Sequence, residues 1–303
     1  MKKLRKHNIS KFSEILRYIY EKFYLVIYKI IFQKKYLDSK NASEGIDGIY
    51  IKVLKRAIYE ENFFKNFKRN PVYRRMLEHI TYRQGLEYIY EIKKNNLEIL
   101  NSLDKFIIND NTGNPIKFYY KDLALSISPT TLSYLKVLCD IKNNFGERFK
   151  NIIELGCGYG GQYIILDKGL RIENYTLFDL PEVNLLIKKN LINFNLSSEY
   201  NIGNLENNYQ DIDLLISNYA FSEFPVNLQR KFLKKIIMKC KHGYMIMNSG
   251  LDISDLKTKQ SEENLPEEYK NHLSFSEIKK IIPTCRIIDE IPLTGKGNYI
   301  IIW

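Results

Sequence analysis

Cysteine and histidine are scarce in this 303-residue chain, at four each. Cys139, Cys157, Cys240 and Cys285 form no C-x-x-C pair, so neither a structural zinc site nor a dithiol redox pair is expected. Scattered single thiols fit a reducing cytoplasm. His7, His79, His242 and His272 lack ligand spacing, and no metal is expected. A long uncharged apolar run is also missing. The most apolar stretch, Phe23 to Phe32, is interrupted by Lys29 and falls far short of the roughly 20 residues of a spanning helix. The basic start, Met1 to Lys11, is not followed by an h-region or a cleavage site. Neither an internal repeat nor a low-complexity tract occurs. These absences exclude collagenous, disordered and multi-span membrane classes. What remains, 45% hydrophobic and 27% charged residues, is the make-up of a folded protein long enough to bury a large core.

Charge is unevenly placed. The net charge is +11. Residues 1–150 hold 29 basic and 16 acidic side chains, and residues 151–303 hold 17 and 19. The positive excess therefore sits in the first half. It suits either a solvated basic face or an anionic partner, such as nucleic acid, a phosphate-bearing substrate or an acidic membrane. Ser10 to Tyr36 reads as one amphipathic helix, with Ile15, Ile19, Phe23, Ile27 and Ile30 on one stripe and Tyr18, Tyr20, Tyr24 and Tyr28 interleaved. Such a helix packs on its own protein, on a twin subunit or on an anionic membrane surface. Helical patterns follow over Tyr50–Phe67 and from Val72 to about Ile108. Ile116–Tyr120 looks extended. Ser128-Pro129-Thr130-Thr131 caps and opens a helix through about Asn143.

From Asn151 the pattern changes to alternating strand and helix. Strands are expected at Asn151–Leu155, Tyr175–Phe178, Glu199–Ile202, Asp213–Ser217, Gly243–Met247, Arg286–Ile291 and Asn298–Ile302. Helices are expected from Gln162, from Pro181 to about Asn193, and at Val226–Lys239 and Phe275–Ile282. This alternation implies a doubly wound parallel sheet. Too few residues join the last two strands for a crossover helix, so the last strand must run antiparallel. The expected fold is α/β, a Rossmann-like sheet with an antiparallel last strand over residues 121–303. A basic, mostly helical region over residues 1–120 precedes it as lid, acceptor-binding or oligomerisation region.

The turn Gly156-Cys157-Gly158-Tyr159-Gly160-Gly161 follows the first of these strands. Its glycines let backbone approach a ligand at a helix N-terminus. The spacing alone also satisfies the dinucleotide fingerprint G-x-G-x-x-G, and Asp179 sits at a distance suited to a ribose hydroxyl under either reading. Three features favour S-adenosylmethionine over NAD. Glu154, two residues before the first glycine, can hold a cationic amino-acid end. The sheet closes with an antiparallel strand. No Tyr-x-x-x-Lys pair follows the glycines.

Glu154 to Gly161 resembles motif I of class I S-adenosylmethionine-dependent methyltransferases. Glu154–Gln162 (ELGCGYGGQ), Phe178–Leu191 (FDLPEVNLLIKKNL) and Ser217–Phe224 (SNYAFSEF) together resemble the sugar O-methyltransferase family of bacterial capsule and lipopolysaccharide gene clusters. The helix at Pro129–Leu138 is similar too, and the resemblance spans about Ser128 to Trp303. It implies that Glu154, Gly156, Gly158 and Gly160 cradle the methionine moiety, with Gln162 and Thr130 alongside. Asp179 would take the ribose hydroxyls, with Leu180 against the adenine. Asn204 would meet the adenine amino group, with Leu205 beside the ring. Asn218 and Tyr219 would lie near the sulfonium. These positions all follow the carboxyl ends of strands, where open α/β sheets bind ligands.

A sugar hydroxyl is a weak nucleophile, so its attack on the methyl carbon needs a general base. Glu223 is the first candidate and His272 the second. Tyr219 and Asn248 could orient the acceptor. Tyr119 and Tyr120 could stack on a sugar ring, and Arg75, with Arg74 and Arg83, could meet a phosphate. Ser217 and Asn218 stand where catechol-type enzymes place a metal-binding acid. Asn218-Tyr219-Ala220 departs from the N-P-P-Y pattern of amino methyltransferases, which favours oxygen as acceptor. The expected activity is methyl transfer to the sugar hydroxyl of a phosphate-bearing acceptor, in the cytoplasm or peripherally at the inner membrane. Competing readings are an RNA or DNA methyltransferase using the basic half, and a non-catalytic S-adenosylmethionine-binding scaffold.

Overall fold

A computed structural model describes residues 48–248, 273–295 and 297–303. The expected helix Ser10–Tyr36 and the candidate base His272 lie outside the described residues. Seven strands form the central sheet: β3 (Arg148–Leu155), β4 (Arg171–Phe178), β5 (Glu199–Ile202), β6 (Ile212–Asn218), β7 (Cys240–Met247), β8 (Arg286–Asp289) and β9 (Tyr299–Ile302). Their order is β5-β4-β3-β6-β7-β9-β8. All run parallel except β9, which is antiparallel to both neighbours, β7 and β8. The expected Rossmann-like sheet with an antiparallel last strand is therefore present, and most strand ends lie within a few residues of their expected places.

Alternation along the strands splits the core into two layers, because successive side chains point to opposite faces. Ile152, Leu177, Leu214, Ile216, Tyr244 and Ile300 face one layer. Ile153, Leu155, Leu215, Met245, Met247 and Ile301 face the other. The second layer is covered by α10 (Val226–Lys235) and α11 (Phe275–Ile281). The first is covered by α6 (Pro129–Phe145), α7 (Gly161–Gly169) and α8 (Pro181–Leu191). α9 (Ala220–Glu223) is a single turn after β6.

The N-terminal helices add to the first layer. α1 (Ile49–Tyr59), α2 (Glu61–Phe64), α3 (Pro71–Leu77), α4 (Tyr82–Asn95) and α5 (Leu97–Asn101) bury Val53, Leu54, Phe64, Tyr73, Ile89 and Ile92 in the same cluster as the sheet residues. Lys189 of α8 donates to the carbonyls of Ala57 and Ile58 at the end of α1, at 3.2 and 2.9 Å. Region 48–120 thus shares one continuous core with the sheet.

Two expectations for this region need correction. The long helix read from Val72 to Ile108 is broken between α3 and α4 and again between α4 and α5. Thr81 starts α4 afresh with a capping box closed by Gln84, which supplies partners for exposed helix-end amides. The helix read over Tyr50–Phe67 stops at Tyr59 and resumes as α2. A hairpin was also missed. β1 (Phe118–Tyr120) pairs antiparallel with β2 (Leu125–Ile127), and the intervening turn ends at Ala124 with φ 50°.

Candidate functional site

The strand register places three loop starts side by side. Leu155 pairs with Phe178 on one side and Ser217 on the other. Gly156, Asp179 and Asn218 therefore emerge together at the carboxyl edge of the sheet. Gly156, Gly158 and Gly160 have φ of 76°, 56° and 82°, a region that only glycine adopts freely. A side chain at Gly156 would also collide, because its Cβ would lie 2.0 Å from Ala220 Cβ. Gly160 then caps α7, whose N-terminus faces the turn.

Glu154, the penultimate residue of β3, lies beside this loop and is 1% exposed. It accepts a 2.8 Å hydrogen bond from the Tyr175 hydroxyl. Burial pushes its pKa up to about 8, although the Tyr175 bond opposes the rise. No ion pair among the described residues neutralises it. Asp179 accepts from the amides of Gly158 and Leu180, at 3.0 and 2.7 Å. It so ties the glycine loop to the end of β4, and burial raises its pKa to about 6 against the pull of these amides. The pair is short of positive charge, and a buried acid without a cation is costly. A ligand with an ammonium group and vicinal hydroxyls matches what the two carboxylates lack.

Gln162 is fully buried and accepts from Asn218 Nδ2 at 3.1 Å, while donating to the Tyr134 carbonyl. Asn218 Oδ1 is buried without a hydrogen bond. Tyr219 has φ 71°, which for a bulky residue stores strain that the surroundings must hold. Its hydroxyl donates to Glu290 and meets Thr294 Oγ1 at 2.9 Å. That hydroxyl is occupied in linking the loop after β6 to the turn after β8. Leu180 caps α8 against the first core layer. Asn204 follows β5, exposed, with its side chain accepting from the Glu206 amide at 3.0 Å. Leu205 beside it packs on the second core layer.

Glu223 and Asn248 come together across the ends of β6 and β7. Burial raises the pKa of Glu223, and a side-chain hydrogen bond from Asn248 opposes the rise. Asn248 itself is exposed, and its amide donates to Ser222 Oγ at 2.9 Å. A carboxyl whose pKa burial raises, at the carboxyl end of the sheet, is a fit group for proton transfer.

Tyr120 does not stand ready for a sugar ring. It is fully buried, stacks on Tyr82 at 5.1 Å and lies against Gly85, where an added Cβ would fall 2.0 Å from its hydroxyl. Tyr119 alternates to the opposite side of the hairpin and is 58% exposed. Arg75 is exposed on α3. The hydroxyl of Thr130 donates to Glu78 at 2.8 Å.

Sequence reasoning missed the N-terminal side of this site. Leu77 Cδ1 lies 3.0 Å from where a Gly158 Cβ would be. Lys68 Nζ sits 3.7 Å above the ring of Tyr159, a residue of the glycine loop, and donates to the Asn109 carbonyl. Asn109 in turn donates to the Tyr159 hydroxyl at 3.0 Å. Buried side-chain atoms without a hydrogen bond gather around the loop: Tyr73 Oη, Glu78 Oε1, Asn109 Oδ1, Asn190 Oδ1 and Asn218 Oδ1. Each such group costs about 1–3 kcal/mol unless a water or ligand meets it. No motif marks Lys68, Tyr73, Leu77, Glu78 or Asn109, since they sit 40 or more positions before the glycine loop and meet it only through packing.

No family model matches the chain, and no curated protein matches it. Among solved structures it is similar to a SAM-dependent methyltransferase from Aquifex aeolicus, at 16% identity over 55% of this chain and 87% of that one, with a TM-score of 0.37. It is also similar to the methyltransferase domain of a bacterial CtHen1, at 15% identity over 56% and 96%, with a TM-score of 0.40. A third is an S-adenosylmethionine-dependent methyltransferase from Clostridium acetobutylicum, at 12% identity over 56% and 88%, with a TM-score of 0.38. With TM-scores below 0.5 these likenesses carry no weight for function, which rests on the residues themselves.

Proposed function

We propose that the chain is an S-adenosylmethionine-dependent O-methyltransferase acting on a sugar hydroxyl. The acceptor class is a nucleotide-sugar, a sugar phosphate or a surface polysaccharide of capsule or lipopolysaccharide assembly. The observation that carries the cofactor reading is Glu154, a buried acid without a cation at the end of the central strand, with Asp179 on the next strand and three positive-φ glycines between them. Bound there, S-adenosylmethionine would supply a methyl group on a cationic sulfur. Glu154 would take the ammonium group and Asp179 the ribose hydroxyls. Asn218, with an unmet side-chain carbonyl oxygen at the end of β6, would polarise the region where methyl and acceptor meet.

Glu223 would accept the proton of the attacking hydroxyl, with Asn248 fixing its orientation. The sugar acceptor is supported by the resemblance of Phe178–Leu191 and Ser217–Phe224. The basic first half adds a positive field that draws phosphate-bearing acceptors. Incubating the protein with methyl-labelled S-adenosylmethionine and single acceptor classes tests this reading. Label on a sugar hydroxyl supports it. Label on RNA with inert sugars would replace it with the nucleic-acid reading.

A further inference from the structure

Helix α3 and the residue after it roof the glycine loop. Leu77 touches Gly158, and the next residue, Glu78, bonds Thr130 through Oε2. Glu78 is 8% exposed, yet Oε1 has no hydrogen bond. Tyr73, one turn earlier, is fully buried, and its hydroxyl also lacks a hydrogen bond. Its ring is fixed edge-on to Phe67, at 4.7 Å, and Phe67 in turn lies 6.2 Å from Tyr159 of the loop. The Tyr134 ring crowds Gly161, and its hydroxyl lies within electrostatic reach of both Glu78 and Glu154.

One buried acceptor and one buried donor, both unmet and rigidly held at the loop, call for a ligand that carries a donor and an acceptor together. An α-amino acid end does so with its ammonium and carboxylate. We propose that Glu78 and Tyr73 bind the amino-acid end of the cofactor, Glu78 sharing the ammonium group with Glu154 and Tyr73 donating to the carboxylate. This inference rests on the cofactor reading above. It makes the N-terminal region part of the cofactor site, beyond any role in acceptor binding. The chemistry also agrees with Glu78 itself, whose pKa burial lifts to about 7 despite the neighbouring Lys68. A further cation beside it, added to Lys68 and Arg74, would favour its ionised form.

Two ligands separate this role from a structural one. S-adenosylhomocysteine carries the amino-acid end, and 5′-methylthioadenosine lacks it. Calorimetry on the full chain compares both ligands with wild type, Glu78→Gln and Tyr73→Phe. Each substitution is expected to weaken S-adenosylhomocysteine by about tenfold or more and methylthioadenosine by less than about twofold. Unchanged S-adenosylhomocysteine binding by both variants overturns the inference. Equal weakening of the two ligands also overturns it, because the roof would then act through shape alone. A wild-type protein that binds neither ligand removes the cofactor reading itself, and the inference with it.

Discussion

Replacing Glu154 with Gln should stabilise the ligand-free protein while removing its affinity for the cofactor. The folded carboxyl keeps its proton up to about pH 8, whereas the ordinary value is 4.5. Between these values the unfolded chain has released the proton and the folded chain has not. Stability therefore falls as pH rises through this window and levels off above pH 8. From those two values the penalty is about 3 kcal/mol at pH 7 and about 5 kcal/mol at pH 9. Gln does not titrate, and its carbonyl can still accept from Tyr175. The assay is thermal unfolding without ligand from pH 6 to pH 9. The variant should melt several degrees higher than wild type, with a gap that widens with pH. S-adenosylhomocysteine should then raise the melting point of wild type but not of Glu154→Gln. Parallel pH dependence of the two proteins, or a variant that melts lower, would refute the reasoning.

The remaining predictions concern the base, the strained tyrosine and the packing. Glu223→Gln should lower kcat by about a hundredfold or more with S-adenosylhomocysteine affinity unchanged. In wild type the base must lose its proton, so activity should rise with pH through a limb above the usual carboxylate range, and a rate flat across acid pH would exclude Glu223. Tyr219→Phe strips a donor from Glu290, which is 7% exposed, and should cost about 1–3 kcal/mol in denaturant unfolding. Gly85→Ala sets a methyl against the buried Tyr120 hydroxyl and should destabilise by about 1–3 kcal/mol, read as a lower unfolding midpoint.

The sheet was legible because its signals are local. Apolar runs bounded by Gly156, Asp179 and Asn218 mark both the strands and the places where their loops begin, and the short link before β9 implies its reversed direction. The acids of the proposed cofactor site could be read for the same reason, since Glu154 sits one residue before the end of β3 and Asp179 one residue after the end of β4. The N-terminal half was harder. Its helices break where Thr81 and Gln84 cap a new start, and the apolar period continues across that break. Tyr120 reads as an aromatic on a strand, but only the hairpin partner Leu125 and the gap at Gly85 decide that it points inward. Tyr73 and Glu78 reach the glycine loop through tertiary packing, for which one sequence carries no offset.

Methyl transfer to a sugar is the central claim, and acceptor screening with trideuteromethyl S-adenosylmethionine tests it most directly. The purified protein would meet nucleotide-sugars, sugar phosphates, capsule oligosaccharides and RNA, with mass spectrometry locating the label. The account predicts label on a sugar hydroxyl, dependent on Glu154 and Glu223. Label on RNA alone, or bound S-adenosylmethionine with no methylated product from any sugar class, would contradict it.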